Sequence, residues 1–386
     1  MEWSRVSKRA REIPPFLVMD VIDRMAVLKK QGADVISLAV GEPDFDTPEC
    51  ITEAALCALR ECKTHYTHSL GVIELREAIA ADYEKRYGVK VHPDQVIVTP
   101  GTSPAMFLVF SGILDPGDEV ILSDPSYACY PNMIEYLGGR AVPVPVYEED
   151  AFQYRPEMIR ERLTDRTRAI LINSPGNPTG NLLSPGRMQE VAGLGPLIIS
   201  DEIYHGLVYE GRERSILEFT DNAIVLNGFS KRYAMTGWRV GYCILPRGMV
   251  RPMQKVAQNF FISTGDFVQW AALAALERAE PDVERMRAIY NRRRLAMLQG
   301  LKKLGFGVTH EPTGAFYVLA NARHYTDDSL KFVMEMLEHT HVGVAPGIDF
   351  GQNAEGYLRF SYATREQRIE EGLARIGKYL ERIKEG

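Results

Sequence analysis

The sequence predicts an α/β fold: a large domain with a mostly parallel sheet flanked by helices, and a smaller, discontinuous α+β domain. Two observations carry this prediction. Between about residues 90 and 245, short apolar runs alternate with turn strings and helical patterns, the rhythm of parallel strands joined by helical crossovers and covered on both faces. Beyond residue 245 the pattern changes to long helical stretches and isolated strand-like runs. The expected division of the 386 residues is 46–284 for the large domain, with 1–45 and 285–386 forming the small one.

Taken in order, the chain opens on a polar arm that reaches Pro14-Pro15, a pair that stiffens an extended segment. A helical pattern follows through Val18, Val21, Ile22, Met25 and Leu28 and ends at Gly32. Val35 to Val40 reads as a strand, broken by Gly41 and Pro43. By itself this stretch is a domain-crossing linker. Thr47-Pro48 reads as an N-cap with proline at the first helical position. Cys50, Cys57 and Cys62 share one helical stretch and suit core packing. Tyr66 sits on a loop ahead of a helix over 72–87 that Gly88 stops.

Residues 95–114 read as a strand, a turn at Gly101 and an apolar helix opened by Thr102, Ser103 and Pro104. Such a junction is either plain helix capping or an anion site, because unpaired N–H groups and the helix dipole meet there. The rhythm repeats over 118–139, with Tyr127 in the turn, suited to core packing or to stacking on a planar ligand. A third strand, within 167–180, ends in the tight loop that carries Asn177. A fourth ends at Asp201, with Tyr204 three residues on. An acid at the carboxyl end of a strand sits where open α/β sheets bind ligands, although Asp201-Glu202 also suits a helix N-cap pair. Glu202 and His205 receive no role. Past residue 245, Gly265-Asp266 opens a helix and 281–304 reads as a long charged helix. Two strand-like runs flank Pro312-Thr313-Gly314, and an amphipathic helix covers 328–340. The run 357–363 alternates like a strand and holds Arg359. A charge there is costly unless paired, so Arg359 is either half of a structural salt bridge or an anion clamp. The last stretch reads as a surface helix.

The most informative stretch is 223–245. A strand, Ala223 to Leu226, leads into the turn Asn227–Ser230, then Lys231, and Arg239 precedes a second apolar run, Val240 to Leu245. Burial lowers a lysine's pKa and makes its amine nucleophilic, while arginine keeps its charge and forks onto phosphate. The pair points to a cofactor that carries both a carbonyl and a phosphate: pyridoxal 5'-phosphate. Composition is that of a globular enzyme, 45% hydrophobic and 25% charged. A net charge of −6 without a basic run argues against nucleic acid. No apolar run approaches a membrane span, and the charged N-terminus lacks a signal-peptide core. Five cysteines without CxxC spacing favour reduced thiols in the cytoplasm and no metal. Neither nucleotide fingerprint, GxGxxG nor GxxxxGK[ST], is present.

The stretch SKRYAMTGWRVGY (230–242) resembles the Schiff-base lysine signature of the class I/II, fold-type I aminotransferases. GEPDF (41–45), NPTG (177–180), DEIY (201–204) and PGIDFG (346–351) follow the same family's order, so the resemblance runs over nearly the whole chain. It implies an aminotransferase, aspartate aminotransferase-like, that moves an amino group between an L-amino acid and a 2-oxo acid. Lys231 is then the catalytic amine, Asp201 the partner of the ring nitrogen, and Asn177 and Tyr204 the partners of the ring oxygen. Tyr127 would stack on the ring. Thr102, Ser103, Ser230 and Arg239 would hold the phosphate, with Tyr66 reaching across a homodimer. Gly41, Asn177 and Arg359 would hold the substrate carboxylate. Three departures from the family stand out. Gly228 stands where many relatives have a hydroxyl, no basic residue lies at 257–259, near the place of the dicarboxylate-binding arginine, and Ser103 occupies the place of the phosphate-turn lysine that another branch uses. Acidic specificity is therefore unsupported, Ile13, Phe16, Phe260 and Phe261 are expected to line an apolar pocket, and glutamate with 2-oxoglutarate is expected as one pair. A β-eliminating lyase of the same fold is the alternative, and an aminotransferase-like regulator is a more distant one.

Overall fold

The computed structural model describes residues 5–385; the first four residues of the expected arm, and Gly386, lie outside the described residues. In chain order the strands are β1 (Ile36–Ser37), β2 (Val96–Thr99), β3 (Glu119–Asp124), β4 (Arg140–Pro145), β5 (Thr167–Asn173), β6 (Leu197–Asp201), β7 (Ala223–Gly228), β8 (Gly241–Ile244), β9 (Tyr317–Asn321), β10 (Val342–Gly343), β11 (Ala345–Pro346) and β12 (Tyr357–Ser361). A seven-stranded sheet has the order β2-β8-β7-β6-β5-β3-β4. Strands β4, β3, β5, β6 and β7 are parallel, and β8 runs antiparallel between β7 and β2.

The apolar runs are continuous because both faces of this sheet are covered. Ile97, Val120, Leu171, Ile199, Leu226 and Cys243 pack with helices Thr102–Ile113, Cys129–Tyr136 and Arg247–Phe260. Their neighbours Val98, Ile121, Ile172, Ile198, Val225 and Ile244 point the other way, into the core shared with helices Ile73–Tyr87 and Asp266–Arg278. The strand directions bring the carboxyl ends of β2, β3, β5, β6 and β7 and the start of β8 to one edge.

Facing that edge is a second layer. Strands β11-β12-β9 form an antiparallel sheet, and β1 pairs in parallel with β10. The amide of Ser361 donates to the Leu38 carbonyl at 2.7 Å, which joins the two small sheets. Helices Leu17–Lys30, Ser329–Thr340 and Glu366–Glu385 pack around them. The long helix Glu280–Lys303 contacts both layers, and its Arg293 forks onto Asp44 at 2.6 and 3.0 Å.

Several local expectations are corrected. The strand expected over Val35–Val40 shrinks to Ile36–Ser37, since the next carbonyls serve other partners: Leu38 accepts from Ser361 and Ala39 from Arg359. Thr47 does not cap the following helix, which begins at Glu49; its hydroxyl donates to the Ala234 carbonyl at 2.7 Å and accepts from Trp238. Cys57 and Cys62 are exposed and Cys50 is half-buried, because that helix buries its Ile51, Ala55 and Ala58 face instead. Of the two runs around Pro312, residues 317–321 form a strand, while Gly307 makes an isolated bridge to Asn321. The last helix is not merely superficial: Ile369, Leu373, Ile376 and Leu380 are buried.

Candidate active site

Between the two layers lies a cavity of about 280 Å³. Every strand end named above contributes to it. Thr102 and Ser103 come from the turn after β2, Tyr127 from the turn after β3, Asn177 from the loop after β5, Asp201 from the last residue of β6, and Ser230 and Lys231 from the turn after β7. Arg239 enters just ahead of β8, and Gly41 and Arg359 arrive from the facing layer. Tyr66 does not join them; it is 81% exposed on this chain's surface.

The amine of Lys231 donates to the Gly41 carbonyl at 2.7 Å. Burial pushes its pKa down to about 8, with Glu42 pulling it back up and Arg359 and Arg239 adding to the depression. In the cofactor-free protein its reaction with a small amine-directed reagent is therefore expected to rise through about pH 8, far below an ordinary lysine. Peptide mapping of the labelled residue across a pH series measures this, and a midpoint above pH 10 would contradict it. Gly41 itself admits no side chain, since a Cβ there would overlap the Tyr317 hydroxyl.

Asp201 is buried at the cavity floor. One carboxylate oxygen accepts from the Tyr130 hydroxyl at 2.6 Å and the other from the Ile203 amide at 3.1 Å. Burial raises its pKa to about 6, against the lowering effect of those two donors and of Lys231. Tyr204 shares a hydroxyl contact of 2.9 Å with Tyr317, and burial pushes its phenol well above the usual range. Tyr127 stands edge-on to Phe16 and to Tyr130, with ring centroids 6.0 and 5.3 Å away.

Among the described residues Arg359 has no carboxylate within salt-bridge distance, so its hydrogen-bond partners are not those of a structural salt bridge. Its two terminal nitrogens donate to the Asn177 side-chain oxygen at 2.8 Å and to the Ala39 carbonyl at 2.6 Å. The rings of Tyr317 and Phe350 hold its guanidinium at 4.3 and 4.7 Å. Its buried Nε has no hydrogen-bond partner among the described residues. A buried, incompletely satisfied guanidinium is a seat for an anion.

A second anion seat lies at the start of helix Thr102–Ile113, where the first N–H groups have no acceptor within the helix. Arg239 lies against this turn: a Cβ on Gly101 would come within 2.5 Å of its guanidinium. The departure at Gly228 also has a physical reason, because a Cβ there would meet the Thr102 hydroxyl at 2.7 Å. That hydroxyl donates to the Asn227 carbonyl at 3.2 Å.

The chain matches the model of the family aminotransferase class I and II over residues 33–376. It belongs to that family. The aminotransferase is 41% identical, over 97% of its own length and 99% of the relative's, to a (5-formylfuran-3-yl)methyl phosphate transaminase of Methanocaldococcus jannaschii. It is 39% identical to the aspartate/prephenate aminotransferase of Thermus thermophilus, with 98% and 99% covered. A solved structure of Thermus thermophilus aspartate aminotransferase with maleate superposes with a TM-score of 0.92 at 39% identity, covering 97% of this chain and 99% of that one. The fold is accordingly that of the fold-type I enzymes, and the activity is pyridoxal-phosphate-dependent transfer of an amino group. The donor set suits that cofactor: a cavity-facing amine, a buried carboxylate and an anion seat at a helix start.

Of the residues expected to form an apolar side-chain pocket, Phe16 lines the cavity. Ile13, Phe260 and Phe261 do not; the first two are exposed on this chain. Val18, Met19, Ile22 and Met106 line it instead. Sequence reasoning also missed Tyr130 and Tyr317. The signal for Tyr130 was its place three residues after Tyr127 at a helix start; for Tyr317, buried next to the site in a short strand, no signal distinguishes it from core.

Proposed function

We propose that the enzyme exchanges the amino groups of apolar L-amino acids with 2-oxo acids, with Lys231 as the catalytic amine. The reading is supported by one observation: among the described residues, Lys231, Arg239 and Arg359 are the cations that line the cavity. Lys231 holds the cofactor and moves the proton at the substrate Cα. Arg239 grips the phosphate with Thr102, Ser103 and Ser230, and Arg359 takes the α-carboxylate beside Asn177 and Gly41. Pyridoxal phosphate, when bound, supplies the electron-withdrawing ring that makes this proton transfer feasible. Asp201 would keep a positive charge at the ring nitrogen, Asn177 and Tyr204 would bond the ring oxygen, and Tyr127 would lie against the ring.

Among the described residues of this chain, no lining cation beyond these three faces a second carboxylate, while Phe16, Val18, Met19 and Ile22 present an apolar wall. The relatives do not choose a substrate, since a valine–pyruvate aminotransferase of Mycobacterium tuberculosis is 38% identical, close to the aspartate/prephenate enzyme. Glutamate with 2-oxoglutarate is kept as the second pair on the resemblance to the family. Exposed Tyr66, Phe260 and Ile262 support a homodimer in which Tyr66 completes the partner's phosphate site. The Thr67 amide ties that loop to the Ser263 hydroxyl at 3.3 Å. We place the enzyme in the cytoplasm, consistent with its unpaired cysteines and with the lack of any helix, among the described residues, long and apolar enough to cross a membrane. The division into 46–284 against 1–45 with 285–386 is part of the same proposal, supported by the pairing of β1 with β10.

Single-turnover mixing of the holoenzyme with individual amino acids tests this. Valine, leucine and phenylalanine are expected to consume the aldehyde form of the cofactor at least about tenfold more efficiently than aspartate, since an unpaired carboxylate in the pocket is expensive. Faster conversion by aspartate would overturn the apolar assignment, and release of ammonia and pyruvate from β-chloroalanine, which carries the leaving group that elimination needs, in place of transfer would favour elimination.

A further inference from the structure

The helix Leu17–Lys30 presents the apolar wall through its first turns, yet Phe16, its N-cap residue, offers no side-chain acceptor to the free N–H groups. The acceptor comes from the far end of the chain. Asp349 takes the Leu17 amide on one carboxylate oxygen at 2.8 Å and the Val18 amide on the other at 3.1 Å, across 332 and 331 residues. Its neighbour Phe350 lies under the Arg359 guanidinium at 4.7 Å, and the Phe350 carbonyl accepts from Ser126 at 2.8 Å. Val18, Ala39, Ala345, Phe350 and Ala354 form one small buried cluster with Phe16 against it. The turn Gly347–Phe350 therefore touches both walls of the substrate space: the anion clamp through Phe350 and the side-chain wall through Asp349.

We propose that Asp349 is a positioning residue for substrate selection, clasping the first turn of helix Leu17–Lys30 so that Phe16, Val18, Met19 and Ile22 stand at a fixed depth from Arg359. The inference rests on the reading that Arg359 takes the α-carboxylate and this wall takes the side chain. A carboxylate suits the task because it accepts two N–H groups at once and its charge is favourable at a helix N-terminus. Substrates that reach the wall depend on the clasp; those that stop short do not.

The test compares wild-type holoenzyme with Asp349→Ala and the isosteric Asp349→Asn. Two carboxylates without an amino group serve as probes, 3-phenylpropionate and propionate, alongside KM and kcat for phenylalanine and alanine. Asp349→Ala is expected to weaken 3-phenylpropionate about tenfold and raise KM for phenylalanine by the same factor, with kcat, propionate and alanine within twofold. Asp349→Asn, which keeps one acceptor, is expected to fall between. Equal weakening of both probes, or no change in either variant, would overturn the proposal, because a role in fold stability acts on both alike. Arg359→Gln separates this failure from that of the underlying reading: if it leaves both probes unaffected, the carboxylate assignment itself is wrong. If it weakens both while Asp349→Ala leaves their ratio unchanged, the clasp fails and the assignment stands.

Discussion

Replacing Lys231 with alanine is expected to reduce amino-group transfer about 10⁴-fold, the upper range for a positioned proton-transfer group. The side chain supplies an amine whose pKa is brought to about 8 by burial, so near neutral pH it both holds a proton and releases one readily. Little of the surrounding structure depends on it. The next residue, Arg232, anchors the turn through Glu280 at 2.6 Å and Asp82 at 3.5 Å, and these contacts persist in the variant. Lys231→Arg separates charge from chemistry. Guanidinium keeps the positive charge but does not give up its proton, so the same loss is expected. Steady-state transfer from the best amino acid to 2-oxoglutarate measures both variants. An arginine variant retaining more than a tenth of wild-type kcat would mean that charge, and not proton transfer, is what residue 231 contributes.

What could be read from the sequence follows from how local each signal is. The strands of the large sheet were legible because a strand covered on both faces leaves an uninterrupted apolar run, as in Ala223–Leu226. Asp201 was legible because a strand end fixes where its side chain must open. The lysine and arginine of 231 and 239 were legible because two cations between buried strands demand a partner. The failures are tertiary. Thr47 has the chemistry of a cap, but the Ala234 carbonyl competes for its hydroxyl from 187 residues away. Tyr130 and Tyr317 have hydroxyls that meet Asp201 and Tyr204 across elements no periodicity connects. Arg359 carries two alternatives in the sequence, and what decides between them is the lack of an acidic partner among the described residues, a fact of packing. The wall residues Val18 and Ile22 fell into a helical apolar stripe, and nothing in a stripe tells core from cavity.

Asp201→Asn is expected to lower kcat about 10²- to 10³-fold, comparable to removing one preorganised electrostatic contact in other enzymes. The carboxylate has one hydrogen bond on each oxygen, from Tyr130 and Ile203, so each retains a lone pair for a cation in the cavity. In the cofactor-free site its pKa stands at about 6 because burial outweighs those donors; on the proposed reading, a protonated ring nitrogen held alongside would pull it back down and keep the pair charged at neutral pH. The asparagine is isosteric but neutral, and that stabilisation disappears. The same change is expected to act in the opposite direction on the fold. An acid whose folded pKa lies above its unfolded value of about 3.9 contributes most below pH 4, and its contribution is lost as pH rises through about 6. Measured on cofactor-free protein, the stability of wild type relative to Asp201→Asn should therefore decline between pH 4 and 6, by on the order of 2–3 kcal/mol, and level off above. Activity and stability then move apart on one substitution, as they do where a site keeps a buried charge for its ligand. A variant with wild-type kcat would remove Asp201 from the chemistry, and a stability difference flat from pH 4 to 7 would show that its carboxylate is not held in the buried environment described for it.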